Sequence, residues 1–241
     1  MILSVHQPNF WPYPGLLGKI MRSDRFVYLT KVQFEKSSWQ SRNRIRTQEG
    51  WTYIRVPTLT KGKLDQKICD VEIDSKREWK QKQFRTLQFA YGKAPYYAQY
   101  EPFLEDFYSR EWTKLMDVDI YIMNYLLQEL DIKTEIFYDT DYQFEGAKTD
   151  LLVDMCKQLQ CDTYMSNLGS QAYVEIERFT NAQCNHRYID YQGCTYEQQY
   201  PGFEPGLSIL DMLMNCGAER TKEILRTDEY YRFSKLNEKL L

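Results

Sequence analysis

The chain has two histidines, His6 and His186, so any imidazole chemistry rests on one of them. His6 closes the apolar run Met1 to Val5 and is followed by Gln7, Pro8 and a segment stiffened by Pro12, Pro14 and Gly15. Imidazole titrates near neutrality, which suits general acid or base work and donation to a developing oxyanion. A hydrogen-bonded structural histidine would give the same sequence. Arg42, Asn43, Arg44 and Arg46 form a second cluster. Alternation along a strand turns Asn43 away from Arg42 and Arg44. Two guanidiniums one residue apart suit bidentate capture of a phosphate, a carboxylate or a nucleotide-sugar diphosphate; a solvated hairpin face is the plainer reading.

Three further segments carry polar chemistry. Gly146 to Asp150 opens a helix whose free N–H groups and Lys148 could receive an anion, with Thr149 or Asp150 as its cap. It lacks the glycine-rich run of a P-loop. Tyr164 to Tyr173 reads as a strand end followed by small polar residues, which makes Ser166 a binding rather than a nucleophilic candidate, since no G-x-S-x-G elbow surrounds it. Ser208 and Asp211 read as a helix cap and a first-turn acid, with Asp211 also able to orient a histidine.

The elements that must position these groups follow from periodicity and breakers. Met1 to Val5 is a short buried strand delivering His6 to its carboxyl end, where α/β folds favour ligand sites. Leu16 to Met21 gives one or two helical turns, and Arg25 to Leu29 a second strand. Trp39 to Pro57 alternates around Gln48-Glu49-Gly50 as a β-hairpin, and Lys67 to Ile73 adds a further strand. Helical spacing covers Lys76 to Tyr91, a region around Phe103 to Phe107 after Pro95, and most clearly 111 to 130, whose Leu115, Ile122, Leu126 and neighbours form one apolar stripe. Thr134 to Tyr138, Asp162 to Ser166 and Cys184 to Tyr191 are strands, Lys148 to Leu159 is a helix, and Ile209 to Asn215 is a short helix stopped near Gly217. The expected fold is α/β, a mostly parallel sheet with a β-hairpin excursion and a mainly helical insertion at about 76–131. No repeat or linker divides the chain, so residues 1–241 are expected to form one domain.

Composition limits the partners. With 31 basic and 34 acidic side chains the net charge of -3 supplies no field for nucleic acid or anionic lipid, so neither is expected. No apolar run reaches the roughly 20 residues of a membrane span. Met1 to Val5 lacks the basic start and cleavage site of a signal peptide, so a cytoplasmic location is expected. The six cysteines have no C-x2-C spacing and read as reduced, mostly structural thiols, and two histidines make no His-rich metal centre. Twenty tyrosines suggest surfaces for an amphipathic ligand.

The collinear series His6-Gln7-Pro8, Pro12 to Gly15, Ser23-Asp24, Val32-Gln33-Phe34, Arg42-Asn43-Arg44, Gly50-Trp51, Val56-Pro57, Lys148-Thr149-Asp150, Tyr164-Met165-Ser166 and Ser208-Ile209-Leu210-Asp211 resembles the WbqC-like family over nearly the whole chain. Asn167 departs from the glycine expected there, and Thr30 from an acidic residue. The resemblance implies a bacterial setting in surface polysaccharide biosynthesis, O-antigen or capsule. A transferase attaching an acyl or aminoacyl group to a nucleotide-linked amino sugar fits that setting, and a non-catalytic sugar-nucleotide or partner-binding protein is the alternative. His6 would be catalytic; Gln7, Lys19, Gln33, Arg42, Asn43, Arg44, Lys148, Asp150, Ser166, Tyr173 and Asp211 would bind substrate, without a metal. The cofactor stays open between ATP and an activated acyl donor, as does the oligomeric state. The opening strand, loop, helix and strand also look like the layout of the HxGH nucleotidylyltransferases, although Pro8 and Asn9 replace the glycine and second histidine.

Overall fold

A computed structural model describes residues 1–63 and 65–240. The chain forms, in order, β1 (Ile2–His6), α1 (Pro14–Met21), β2 (Arg25–Tyr28), β3 (Arg42–Thr47), β4 (Gly50–Arg55), α2 (Trp79–Tyr91), α3 (Tyr97–Ser109), α4 (Leu115–Glu129), β5 (Glu135–Tyr138), α5 (Thr149–Gln158), β6 (Thr163–Asn167), α6 (Ile176–Asn181), β7 (Asn185–Tyr191), α7 (Ile209–Arg226) and β8 (Tyr231–Phe233). Six strands make one sheet in the order β5-β2-β1-β6-β7-β8. The pairs from β5 to β7 are parallel, and β8 closes the β7 edge antiparallel.

Sequence explains this order. β1 is the central strand, and its interior residues Leu3, Ser4 and Val5 are all buried, as a parallel strand covered on both faces requires. On one face Leu3, Val5, Val27 and Tyr164 pack with α5 and the α6 residue Phe179. On the other, Phe26 and Tyr28 pack with α1, α7 and the α2–α4 helices in the larger core. From β1 the chain winds outward to β2 and β5, returns to β6 beside β1, and then winds the other way to β7. Such a reversal opens a crevice at the carboxyl ends of the two central strands, where doubly wound proteins bind ligands.

The hairpin β3–β4 is a separate two-stranded sheet, closed by Gln48-Glu49 and by Gly50 at φ 126°. The expected strand over Lys67 to Ile73 is instead a 3-10 turn at Ile68–Asp70, flanked by the single bridges Gln33–Lys67 and Thr58–Ile73. Its apolar Ile68, Val71 and Ile73 mimic alternation, but Ile68 and Cys69 donate to the carbonyls of Val32 and Thr30 across a bend and start no ladder. Helix α4 begins at Leu115, later than the expected 111. The helix expected to stop near Gly217 breaks there, with φ 71°, and resumes at once to Arg226. Among the described residues no helix is long and apolar enough to cross a membrane.

Candidate functional site

β1 carries His6 to the crevice, half-buried at the strand's carboxyl end. Its Nδ1 lies 2.8 Å from the carbonyl oxygen of Gln7. A carbonyl only accepts, so the neutral ring holds its proton on Nδ1 and presents Nε2 as an acceptor. Burial first, then repulsion from Lys19, lowers the His6 pKa to about 3. The ring is therefore neutral throughout the physiological range. Lys19 reaches from α1, 1% exposed, and donates from Nζ to the Val5 carbonyl at 3.0 Å. Burial lowers its pKa to about 7. Lys19 thus acts from beneath the surface, through the field it sets at His6.

The loop after His6 is held from two sides. Trp11 adopts φ 45°, a left-handed conformation rare for a bulky residue, and its buried ring sits edge-on to Phe103 and Phe107 of α3. From the hairpin side, Asn43 Nδ2 donates to the carbonyls of Trp11 at 2.7 Å and Phe10 at 3.3 Å. Phe10 N–H donates to the Trp39 carbonyl at 3.0 Å, and Gln40 Nε2 to Gln7 Oε1 at 2.7 Å. The His6 loop and the start of β3 are one hydrogen-bonded unit.

The hairpin register sets Arg42 opposite Arg55, Arg44 opposite Tyr53 and Arg46 opposite Trp51, all on one face. Asn43, Ile45 and Ile54 take the buried face, as the alternation implied. The Arg42 guanidinium lies 4.3 Å from the Tyr53 ring centroid and that of Arg44 4.2 Å from Trp51. These ring partners were readable in advance: a two-residue turn at Gln48-Glu49 fixes the whole register.

His6, Gln7, Lys19 and Asn43 are thus brought together by β1, its loop, α1 and β3, while Arg42 and Arg44 share β3 with Asn43 but stand on its opposite face. The remaining candidates stand apart. Exposed Lys148 precedes α5 at φ 52°, and Asp150 is engaged by Arg178 of α6 at 3.0 Å. Ser166 is buried and its Oγ lies 2.8 Å from Nε2 of buried His186, on the α5–α6 side of the sheet. One residue on, Asn167 has the phase of His6 and donates to the Tyr13 hydroxyl of the β1 loop at 3.1 Å. Only the register between β1 and β6 decides which of these two neighbours faces the loop. Tyr173 is 60% exposed beyond the 3-10 turn after β6, and Gln33 is exposed in its bridge to Lys67.

Asp211 does not orient a histidine. Its carboxylate accepts from Tyr91 Oη at 2.9 Å, Tyr196 Oη at 2.8 Å and Gln198 Nε2 at 2.9 Å. Since Tyr91 Oη also accepts from the Arg46 N–H at 2.9 Å, the carboxylate ties α7 to α2 and β3. Burial raises the Asp211 pKa, against the lowering pull of its donors.

A doubly wound α/β protein with a neutral histidine at its central strand end, followed by a loop hydrogen-bonded to an arginine-bearing hairpin, is the class that fold and site define. The chain belongs to the WbqC-like protein family, matching it over residues 7–223. It is 33% identical over 219 residues to a protein of Mycobacterium tuberculosis (strain ATCC 25618 / H37Rv) described as "Uncharacterized protein Rv1507c", across 90% of this chain and 94% of that one. No solved structure matches it.

Proposed function

We propose that the chain serves bacterial surface polysaccharide biosynthesis as a transferase that attaches an acyl or aminoacyl group to a nucleotide-linked amino sugar. The observation carrying this reading is the His6 ring: neutral, oriented by the Gln7 carbonyl, with Nε2 free among the described residues at the strand end and its loop hydrogen-bonded to the arginine-bearing hairpin through Gln40 and Asn43. In this reaction the sugar amine attacks the activated carbonyl carbon, a C–N bond forms, and the donor's leaving group departs with its electron pair. His6 Nε2 accepts a hydrogen bond from the attacking amine and aims its lone pair. A pKa of about 3 makes the ring a poor final proton acceptor, so the amine proton passes on to the leaving group or solvent. On this reading residues 1–241 act as one domain in the cytoplasm.

With purified protein and candidate donor and amino-sugar pairs, His6→Ala should lower product formation by about 10²-fold or more. Unchanged turnover would sink the mechanism. An ATP-dependent version, in which the acid is first adenylated, requires exchange of labelled pyrophosphate into ATP; no exchange with any acid removes it. The low His6 pKa also favours the second reading, a binding protein for a sugar nucleotide. Calorimetry showing tight binding without turnover across the same panel would select it.

A further inference from the structure

Among the described residues eight of the chain's fourteen arginines form ion pairs, and four of the other six, Arg42, Arg44, Arg46 and Arg55, lie on the hairpin. Arg46 donates from Nη1 to the carbonyls of Thr47 and Gly50 and from Nη2 to that of Pro201, leaving only its buried Nε without a partner among the described residues. Arg42 and Arg44 differ: among the described residues their guanidiniums have neither a carboxylate nor a hydrogen-bond acceptor, and each Nε is buried. A guanidinium stacked on a ring has its plane fixed while its N–H edge stays available. Leaving such donors without an acceptor is costly, and an anion between them would remove that cost.

Near the Arg44 fork lies a cleft of about 430 Å³, lined by Tyr13, Tyr191, Tyr196, Phe203, Leu207 and Met212 among others. It opens at the carboxyl end of β7, against the β1 loop. Gly206, at φ 71°, forms its rim, and Arg44 Nη1 lies 3.9 Å from where a Cβ on that glycine would stand. The N-terminus of α7 beside it is already engaged: Ser208 N–H donates to the Arg44 carbonyl at 3.0 Å and Ile209 N–H to that of Pro12 at 2.8 Å. An anion at this rim therefore depends on the arginines.

We propose that this cleft and the two stacked arginines form a nucleoside diphosphate site, with the base among Tyr196 and Phe203 and the diphosphate on Arg44 and Arg42. The inference rests on the nucleotide-linked substrate proposed above and adds which residues hold each part. Cα atoms two apart on a strand are about 6.5 Å apart, so both forks can reach neighbouring phosphates. The cleft has the size of a small-ligand site, and its aromatic lining suits one flat ring better than a polymer. The net charge of -3 likewise offers a long polyanion no wider basic field.

The test is calorimetric titration of the full chain with a panel of nucleoside diphosphates, each with its nucleoside, and with inorganic pyrophosphate. At least one diphosphate should bind. Arg44→Met should weaken it about tenfold or more, Arg44→Lys should restore part of the loss, and Phe203→Ala should weaken the diphosphate while leaving pyrophosphate unchanged. Arg85→Met, at another unpaired arginine on α2, should bind like the wild type, and thermal melts should show every variant folded. Equal binding by the wild type, Arg44→Met and Phe203→Ala, or pyrophosphate binding as tightly as every diphosphate, would overturn the assignment. Absence of diphosphate binding would overturn it too. If Arg44→Met and Phe203→Ala still turn over nucleotide-linked amino sugars at the wild-type rate, only the placement fails; if the wild type shows no turnover at all, the transferase reading fails.

Discussion

The field at His6 is set by a neighbour that is itself poised to titrate. Burial and the Lys19 ammonium both disfavour the imidazolium, and burial alone brings Lys19 to about 7. Over pH 5 to 9 the His6 ring should therefore stay neutral, its NMR signals showing no protonation step of their own and only a small shift as nearby Lys19 loses its proton. Lys19→Met removes the repulsion but not the burial, so the His6 pKa should rise and still stay below its ordinary 6.5. A Lys19→Met protein whose His6 titrates as in the wild type would show that the two groups do not interact. Asn43 is the other residue on which the loop depends. Asn43→Ala leaves the Trp11 and Phe10 carbonyls without their donor in a buried setting, which should destabilise the fold by about 1–3 kcal/mol in denaturant melts. A change within a few tenths of a kcal/mol would mean the loop is held by Trp11 packing alone.

At the scale of elements, Gly15, Gly18 and Gly217 mark where side chains of distant segments pass through the space a Cβ would need. A Cβ at Gly217 would meet the Tyr96 ring at 2.6 Å, on a backbone at φ 71°. Gly217→Ala should therefore lower stability by more than 1 kcal/mol in thermal or denaturant unfolding. In α1, Gly18→Ala would gain about 1 kcal/mol of helix propensity, yet its Cβ would overlap Tyr231 Oη of β8. The clash decides the sign, and Tyr231→Ala in the same chain should rescue part of the loss. The same glycine shows the limit of the sequence. A glycine after an apolar stretch reads as a helix stop, and Gly217 is one, but nothing local says that the chain restarts at Ala218. The hairpin and α4 were legible because burial imposes a clear period on them, and β1 because a short apolar run ends at His6 and a proline-rich segment. β8, at three residues, is too short to carry one. The facing of candidate residues was legible where one element holds them, as with Asn43 turned away from Arg42 and Arg44. It was not legible where strand register decides, as with Ser166 and Asn167, or where buried polar partners decide, as with Asp211.

For the molecule as a whole, buried ionisable groups pull its pH dependence in opposite directions. His6 at about 3 and His186 at about 4 lie below their ordinary 6.5. Between those values the unfolded chain binds more protons than the native one, so their stabilisation is complete above 6.5 and is lost as the pH falls. Asp119 of α4 does the reverse. It is 2% exposed, and neither carboxylate oxygen has a partner among the described residues. Burial holds its pKa well above the ordinary 3.8. Above 3.8 the unfolded carboxyl loses its proton while the native one keeps it, so this group costs stability as the pH rises, by at most about 1.4 kcal/mol per pH unit. Asp119→Asn removes that slope and leaves an amide in the same space, whose burial costs less than that of a charge. Melting temperatures of wild type and Asp119→Asn should nearly coincide at pH 4, and the variant should gain a widening advantage up to pH 8. If the variant melts below the wild type at pH 8, the Asp119 carboxylate is ionised and held by a partner. α4 would then carry a second polar centre beside Tyr28, whose buried hydroxyl also lacks a hydrogen-bond partner among the described residues.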